Sequence, residues 1–169
     1  MIKMKNEIIL MIIIVIVAMI FGCTNNSQSQ KNSKVYGSTN INFQMPEGWE
    51  VHPMPGKGTV IWMKGDPRIR VIEYTDKQKY DSDYNKDLNI DNSNYAVSNS
   101  KKIINGVQIN VIKTTHNNNG DIQDEYFFEK NNKYYNLECW AFPGWNSKKT
   151  NTARLEIEKA VNIIVNTIK

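Results

Sequence analysis

Residues 122–142 read IQDEYFFEKNNKYYNLECWAF, and this stretch decides the fold. Ile122–Lys130 and Lys133–Phe142 are aromatic-rich, strand-like runs, and the Asn131-Asn132 pair between them is turn chemistry. In the second run Tyr135, Leu137, Cys139 and Ala141 share one face, while Tyr134 and Trp140 share the other. Upstream, Val107–Thr115 is a further strand, joined to Ile122 through Asn117-Asn118-Asn119-Gly120-Asp121, residues that tolerate the positive φ of a tight turn. Three strands in this order make an antiparallel meander.

Working outward, Thr59–Met63 places Val60, Ile61, Trp62 and Met63 on both sides of a strand, which marks a central strand covered on both faces. Ile69–Tyr74 repeats that pattern more weakly. Ile41-Asn42-Phe43-Gln44-Met45 alternates apolar and polar and is expected to be a strand, ended by Pro46-Glu47-Gly48. Trp49-Glu50-Val51 begins another extended piece that breaks at Pro53 and Pro55. A closing helix starts near Thr150, and its stripe Ala153, Ile157, Val161, Ile164 and Ile168 has the spacing of one buried face. Between Asp76 and Asn94, Tyr80, Tyr84 and Leu88 fall four apart, as in a short amphipathic helix, although Asp and Asn are poor helix-interior residues. Without that helix, Trp62 or other large apolar groups on the sheet stay uncovered, and an uncovered apolar patch signals a partner.

The amino terminus sets the location. Lys3 and Lys5 precede an apolar run from Ile8 to Phe21 that stops at Gly22-Cys23, the pattern of a lipoprotein signal peptide over residues 1–22. A permanent span needs about 20 apolar residues and this run has about 14. A secretory signal without lipid lacks its small residue at position 20, which is Ile20. Cys23 is thus the expected lipidation site, and residues 23–38 read as lipidated cysteine and polar tether, unable to bury enough surface to order themselves. Residues 39–169 form one domain. The expected place is the extracytoplasmic face of the cell membrane, with the membrane as partner through the lipid.

Charge excludes one class of partner. Of 21 basic and 17 acidic side chains, setting aside Lys3, Lys5 and Glu7 leaves 19 against 16, scattered without a basic patch, so nucleic acid is not an expected partner. With Cys23 lipidated, Cys139 has no partner for a disulfide within the chain.

Chemical motifs are sparse. Asp81, Asp83, Asn85 and Asp87 have the spacing of a calcium loop, but Lys86 stands where the loop needs glycine and Asn92 where it needs a closing glutamate, which makes them a weak candidate metal site. Ser98-Asn99-Ser100-Lys101 fits Ser-x-x-Lys without its companion motifs, and Gly56-Lys57-Gly58-Thr59 lacks the first glycine of a phosphate loop. His52 and His116, the two histidines, do not have ligand spacing. Cys139 sits on the apolar alternation of its strand and reads as a small buried hydrophobe. Trp62, Trp140 and Trp145 are the candidate partner-binding aromatics. No cofactor is implied.

The order of these pieces resembles the PsbP-like family, in particular its small lipid-anchored extracytoplasmic members of archaeal type. The resemblance is carried by Ile41-Asn42-Phe43-Gln44-Met45-Pro46-Glu47-Gly48-Trp49, by Ile103-Ile104-Asn105-Gly106, by Tyr126 through Leu137 and by the terminal Ile163-Ile164-Val165-Asn166-Thr167-Ile168. It implies an α+β fold, an α/β/α sandwich around a central antiparallel sheet that PsbP shares with Mog, with the C-terminal helix packed on the sheet. It also implies a non-catalytic binding or assembly module at the cell surface. A calcium- or small-ligand-binding surface lipoprotein and a hydrolase are the alternatives from other classes.

Overall fold

The computed structural model describes residues 41–53, 59–63, 66–90, 93–143 and 150–169. Seven strands follow in the order β1 (Trp49–Pro53), β2 (Thr59–Met63), β3 (Arg68–Tyr74), β4 (Tyr95–Ile104), β5 (Val107–His116), β6 (Ile122–Lys130) and β7 (Lys133–Ala141). Helix α1 (Lys77–Leu88) stands between β3 and β4, and helix α2 (Thr150–Thr167) closes the chain. All seven strands join one antiparallel sheet in the order β1-β2-β3-β7-β6-β5-β4.

Two asparagine turns set the register. Asn131 and Asn132 both adopt positive φ, at 55° and 60°, which matches the twist of a two-residue hairpin and pairs Lys130 with Lys133. Asn105 and Gly106 do the same between β4 and β5, at 48° and 81°. Gly120 serves a different need. A Cβ there would stand 2.9 Å from Thr150 Oγ1, whose hydroxyl donates to the Gly120 carbonyl at 3.1 Å as α2 begins.

One face of the sheet packs against α2. Ile61, Ile69, Val71, Ile109, Val111, Tyr126, Phe128, Leu137 and Cys139 lie buried beneath Ala153, Ile157, Val161, Ile164 and Ile168. Each fully buried Ile or Val of that helix contributes about 1.5–3 kcal/mol by leaving water. A buried ion pair aligns it: Arg154 donates to both oxygens of Asp124, at 2.9 and 3.0 Å, and to Thr114 O and Thr115 Oγ1 at 3.1 and 2.9 Å. The expected strand Ile41–Met45 is not a strand. Ile41 and Phe43 are buried in this core, but the backbone pairs with the end of α2, Lys169 N donating to Asn42 O and Gln44 N to Thr167 Oγ1.

The opposite face is only partly covered, so the expected α/β/α sandwich is not the architecture. What forms is a seven-stranded antiparallel sheet with α2 on one face and the short α1 over a corner of the other. Helix α1 is too polar to serve as a full third layer. Tyr80 is its one buried residue among those described, packed with Phe127 and Ile112, and Tyr84 and Leu88 complete the contact. Its polar sequence is helical nonetheless, because Asp76 caps Gln78 N at 2.8 Å and the Lys77–Asp81 and Lys79–Asp83 pairs bridge successive turns.

Two substitutions check the α2 packing in chemical denaturation. Ile164→Asp, which forces an unpaired charge under α2, should leave the domain unfolded at room temperature. Arg154→Ala should cost about 3 kcal/mol by stranding the Asp124 carboxylate in the core, and Asp124→Asn with Arg154→Ala should restore part of that loss.

Candidate functional site

The register of the sheet lays one straight row of side chains across its partly covered face. Val60 pairs with Arg70, Arg70 with Glu138, Glu138 with Glu125, and Glu125 with Ile112. Helix α1 covers Ile112, and with Tyr80 and Tyr84 it covers Phe127; Tyr80 also meets Tyr74 and Tyr134 edge-on or tilted, at centroid distances of 5.6 and 5.2 Å. On the same face, alongside these groups, lie Arg70, Glu138, Glu125, Asn136, Gln123 and Trp140.

These groups are bonded to one another. The Arg70 guanidinium is ion-paired with Glu138 and lies over the Trp140 ring, 5.4 Å from its centroid. Glu125, 3% exposed, accepts from the Asn136 amide at 2.7 Å and from Gln123 Nε2 at 3.1 Å, and has no ion pair among the described residues. Burial first, and the neighbouring Glu138 second, push the Glu125 carboxyl up to about 8, so at neutral pH it is mostly uncharged. Burial also raises Glu138, against the pull of Arg70, and raises Asp87 on α1. Tyr74 donates to Asp83 Oδ2 at 3.1 Å, and burial together with that carboxylate pushes its phenol above the usual range.

The sequence candidates are redistributed. Asp81, Asp83, Asn85 and Asp87 lie on a helix rather than in a calcium loop, and steps of two residues turn about 200° around its axis. Asp83 and Asp87 therefore share one flank and Asp81 and Asn85 another, with Asp81 bonded to Lys77 at 2.6 Å. Among the described residues no group of three His, Cys, Asp or Glu is placed to hold a metal ion. Ser98 and Lys101 point to opposite sides of β4, one paired across from Lys113 and the other from Asn110, so no Ser–Lys couple forms. His116 packs against Tyr95, and His52 lies three strands from the carboxylate pair in the same row. Cys139 is buried in the α2-side core, which holds its thiol well above the usual value. Trp140 is in the cluster. The side chain of Trp62, Trp145 and Cys23 with the signal and tether all lie outside the described residues.

Glu125, Glu138, Arg70 and Asn136 escaped sequence reading. Their signal was present: a two-residue turn at Asn131-Asn132 places Glu125 opposite Glu138, and acidic residues inside aromatic strands need partners.

No protein-family model matches the chain, and no curated protein does. A crystal structure from Bacteroides thetaiotaomicron VPI-5482 is similar at a TM-score of 0.47 and 10% identity, over 83% of this chain and 48% of that one. This chain thus spans about half the length of that structure.

The raised Glu125 carboxyl fixes a sign for stability against pH. Unfolded, it ionises near 4.5; folded, near 8; between them the folded state holds the extra proton, so stability falls as pH rises through this window and levels off above it. The slope is about 1.4 kcal/mol per pH unit for one such group. Glu125→Gln should therefore melt several degrees above the wild type at pH 8 and match it near pH 4, with a flatter Tm profile between, read by circular dichroism.

Proposed function

We propose that this chain is a lipid-anchored extracytoplasmic binding module without catalysis, which meets its ligand on the sheet face beside α1. The observation that carries the reading is the cluster of Arg70, Glu138, Glu125, Asn136 and Trp140 on a face that α1 leaves partly open. Burying ionisable groups in a sheet costs stability, and a face that keeps them beside an aromatic ring is suited to recognition. The anchor belongs to the same proposal and rests on Gly22-Cys23 after the apolar run. Likeness to PsbP-like proteins also stays within the proposal, supported by sequence motifs alone, and it points to docking rather than turnover.

A hydrolytic reading draws on one feature, a neutral Glu125 beside an Arg70-held Glu138, an acid next to a second carboxyl. Hydrolysis needs water and a scissile bond between the two carboxyls. The Asn136 and Gln123 amides occupy both Glu125 oxygens instead, which is why binding is the reading adopted.

The test uses the full-length chain in its own membrane. Mass spectrometry should find a lipid thioether on Cys23 at the new amino terminus, and Cys23→Ser should lose the lipid and accumulate as the longer, uncleaved precursor. A photo-crosslinking residue at Gln123, on the open face, should give adducts that the same residue at exposed Lys159 on α2 does not. An unmodified amino terminus, or equal adducts from both positions, overturns the proposal.

A further inference from the structure

The ground beside α1 gathers four carboxyl groups, only two of them matched by a committed cation. Facing it are Glu125 from β6, Glu138 from β7, Asp83 and Asp87 from α1, and Arg70 from β3, while β5 contributes uncharged Ile112 and β4 Asn99. Arg70 is committed to Glu138 and Lys79 to Asp83. Among the described residues Asp87 and Glu125 have no ion-pair partner, although Lys86 lies near enough to Asp87 to moderate its charge. The field of Asp87 reaches both Glu125 and Glu138.

A second observation is independent of the acids. Asn136 is 1% exposed and gives its amide N–H to Glu125, yet among the described residues its Oδ1, an acceptor inside the cluster, has no donor. A buried carbonyl left unmade costs about 1–3 kcal/mol, and a group that brought an N–H to it would recover that. What the face accommodates is displayed by the chain itself, since Arg70 places a guanidinium against Glu138 and over Trp140.

We propose that this cluster is a binding site for one organic cation, an ammonium or guanidinium group donating to Asn136 Oδ1, Glu125 and Asp87. This rests on the binding reading above and supplies its ligand class. Gln123, exposed at the surface, holds one oxygen of Glu125 and is the group that such a ligand displaces. A bare metal ion fits poorly, because among the described residues no three suitable side chains are grouped to coordinate it. Several N–H donors on one molecule bridge the wider spacing.

Proton release distinguishes this site from loose surface attraction. A cation beside Glu125 favours its ionised form, so a carboxyl that is mostly neutral at pH 7 loses its proton as the ligand binds. The experiment is calorimetric titration of the full-length chain in detergent with spermidine and with arginine methyl ester, with magnesium chloride as control, at pH 7 in phosphate and in Tris. At least one organic cation should saturate a single site, magnesium should not, and the heats in the two buffers should differ by the release of up to one proton. Affinity should rise several-fold from pH 6 to pH 8. Glu125→Gln should abolish the buffer difference, and Asp87→Asn, a change on a half-buried helix flank, should weaken binding about tenfold with the melting transition retained. No saturable binding of either organic cation, equal binding of magnesium, or unchanged binding in both variants overturns the assignment. Adducts confined to position 123 on the membrane would in that case keep the binding reading and remove only its ligand class.

Discussion

Three consecutive bulky side chains, Tyr126, Phe127 and Phe128, impose the constraint from which the rest of the structure follows. A strand sends neighbours to opposite faces, so no single layer of cover can hide all three. Tyr126 and Phe128 go under α2 with the main core, and Phe127 goes under α1 with Tyr80 and Tyr84. Because β6 is paired on both sides, by β5 and β7, its backbone is satisfied only inside a sheet. An aromatic strand at the middle of a sheet thus demands cover on both sides, and the chain supplies a long helix for one and a short one for the other.

The two covers differ because the two faces do. Beneath α2 the fully buried sheet residues are aliphatic and aromatic with one charged exception, Asp124, which Arg154 and the amide of Thr114 hold. On the other face only Ile112, Phe127 and the neighbouring tyrosines are apolar enough to hold a helix, and α1 is as long as that patch requires. The Lys77–Asp81 and Lys79–Asp83 pairs give a polar 12-residue helix local support, but pairs of this kind contribute only a few tenths of a kcal/mol each. Its docking therefore depends on Tyr80. Beyond the patch the row turns charged, with Glu125, Glu138 and Arg70 standing between Ile112 and Val60.

Much of this was legible in the sequence where one physical signal dominated. The α2 stripe has the period of a helix, and Ala153, Ile157, Val161, Ile164 and Ile168 are all buried. The β6–β7 hairpin is written in alternation and in Asn131-Asn132. Ile41–Met45 misled because alternation records a buried and an exposed side, not a strand partner; Ile41 and Phe43 bury their side chains while the backbone bonds to the last turn of α2. Most of β4 was illegible for the opposite reason. As an edge strand with mostly exposed residues it is held by its ladder with β5, and backbone pairing leaves no trace in side-chain pattern. The third layer of a sandwich was inferred by resemblance, and the acids of β6 and β7 argued against it: a face carrying Glu125, Glu138 and Arg70 in one row does not offer a helix the apolar ground it needs.

Asp124 and Glu125 sharpen the point, being adjacent in sequence, on opposite faces and almost fully buried. Each removes a carboxyl from water, which the chain tolerates only with compensation. For Asp124 that compensation is structural, a bidentate arginine from α2 that converts a buried charge into alignment of helix on sheet. For Glu125 the described residues provide two amides and no cation, and the group answers by holding its proton. If α1 served stability alone, an aliphatic residue at position 125 would fill that space at lower cost, since apolar replacement of buried polar groups is often neutral or favourable. The retention of a neutral acid and an unfilled amide acceptor at the margin of α1 is better accounted for by something that arrives from outside, bearing donors and positive charge, than by the packing of the domain itself.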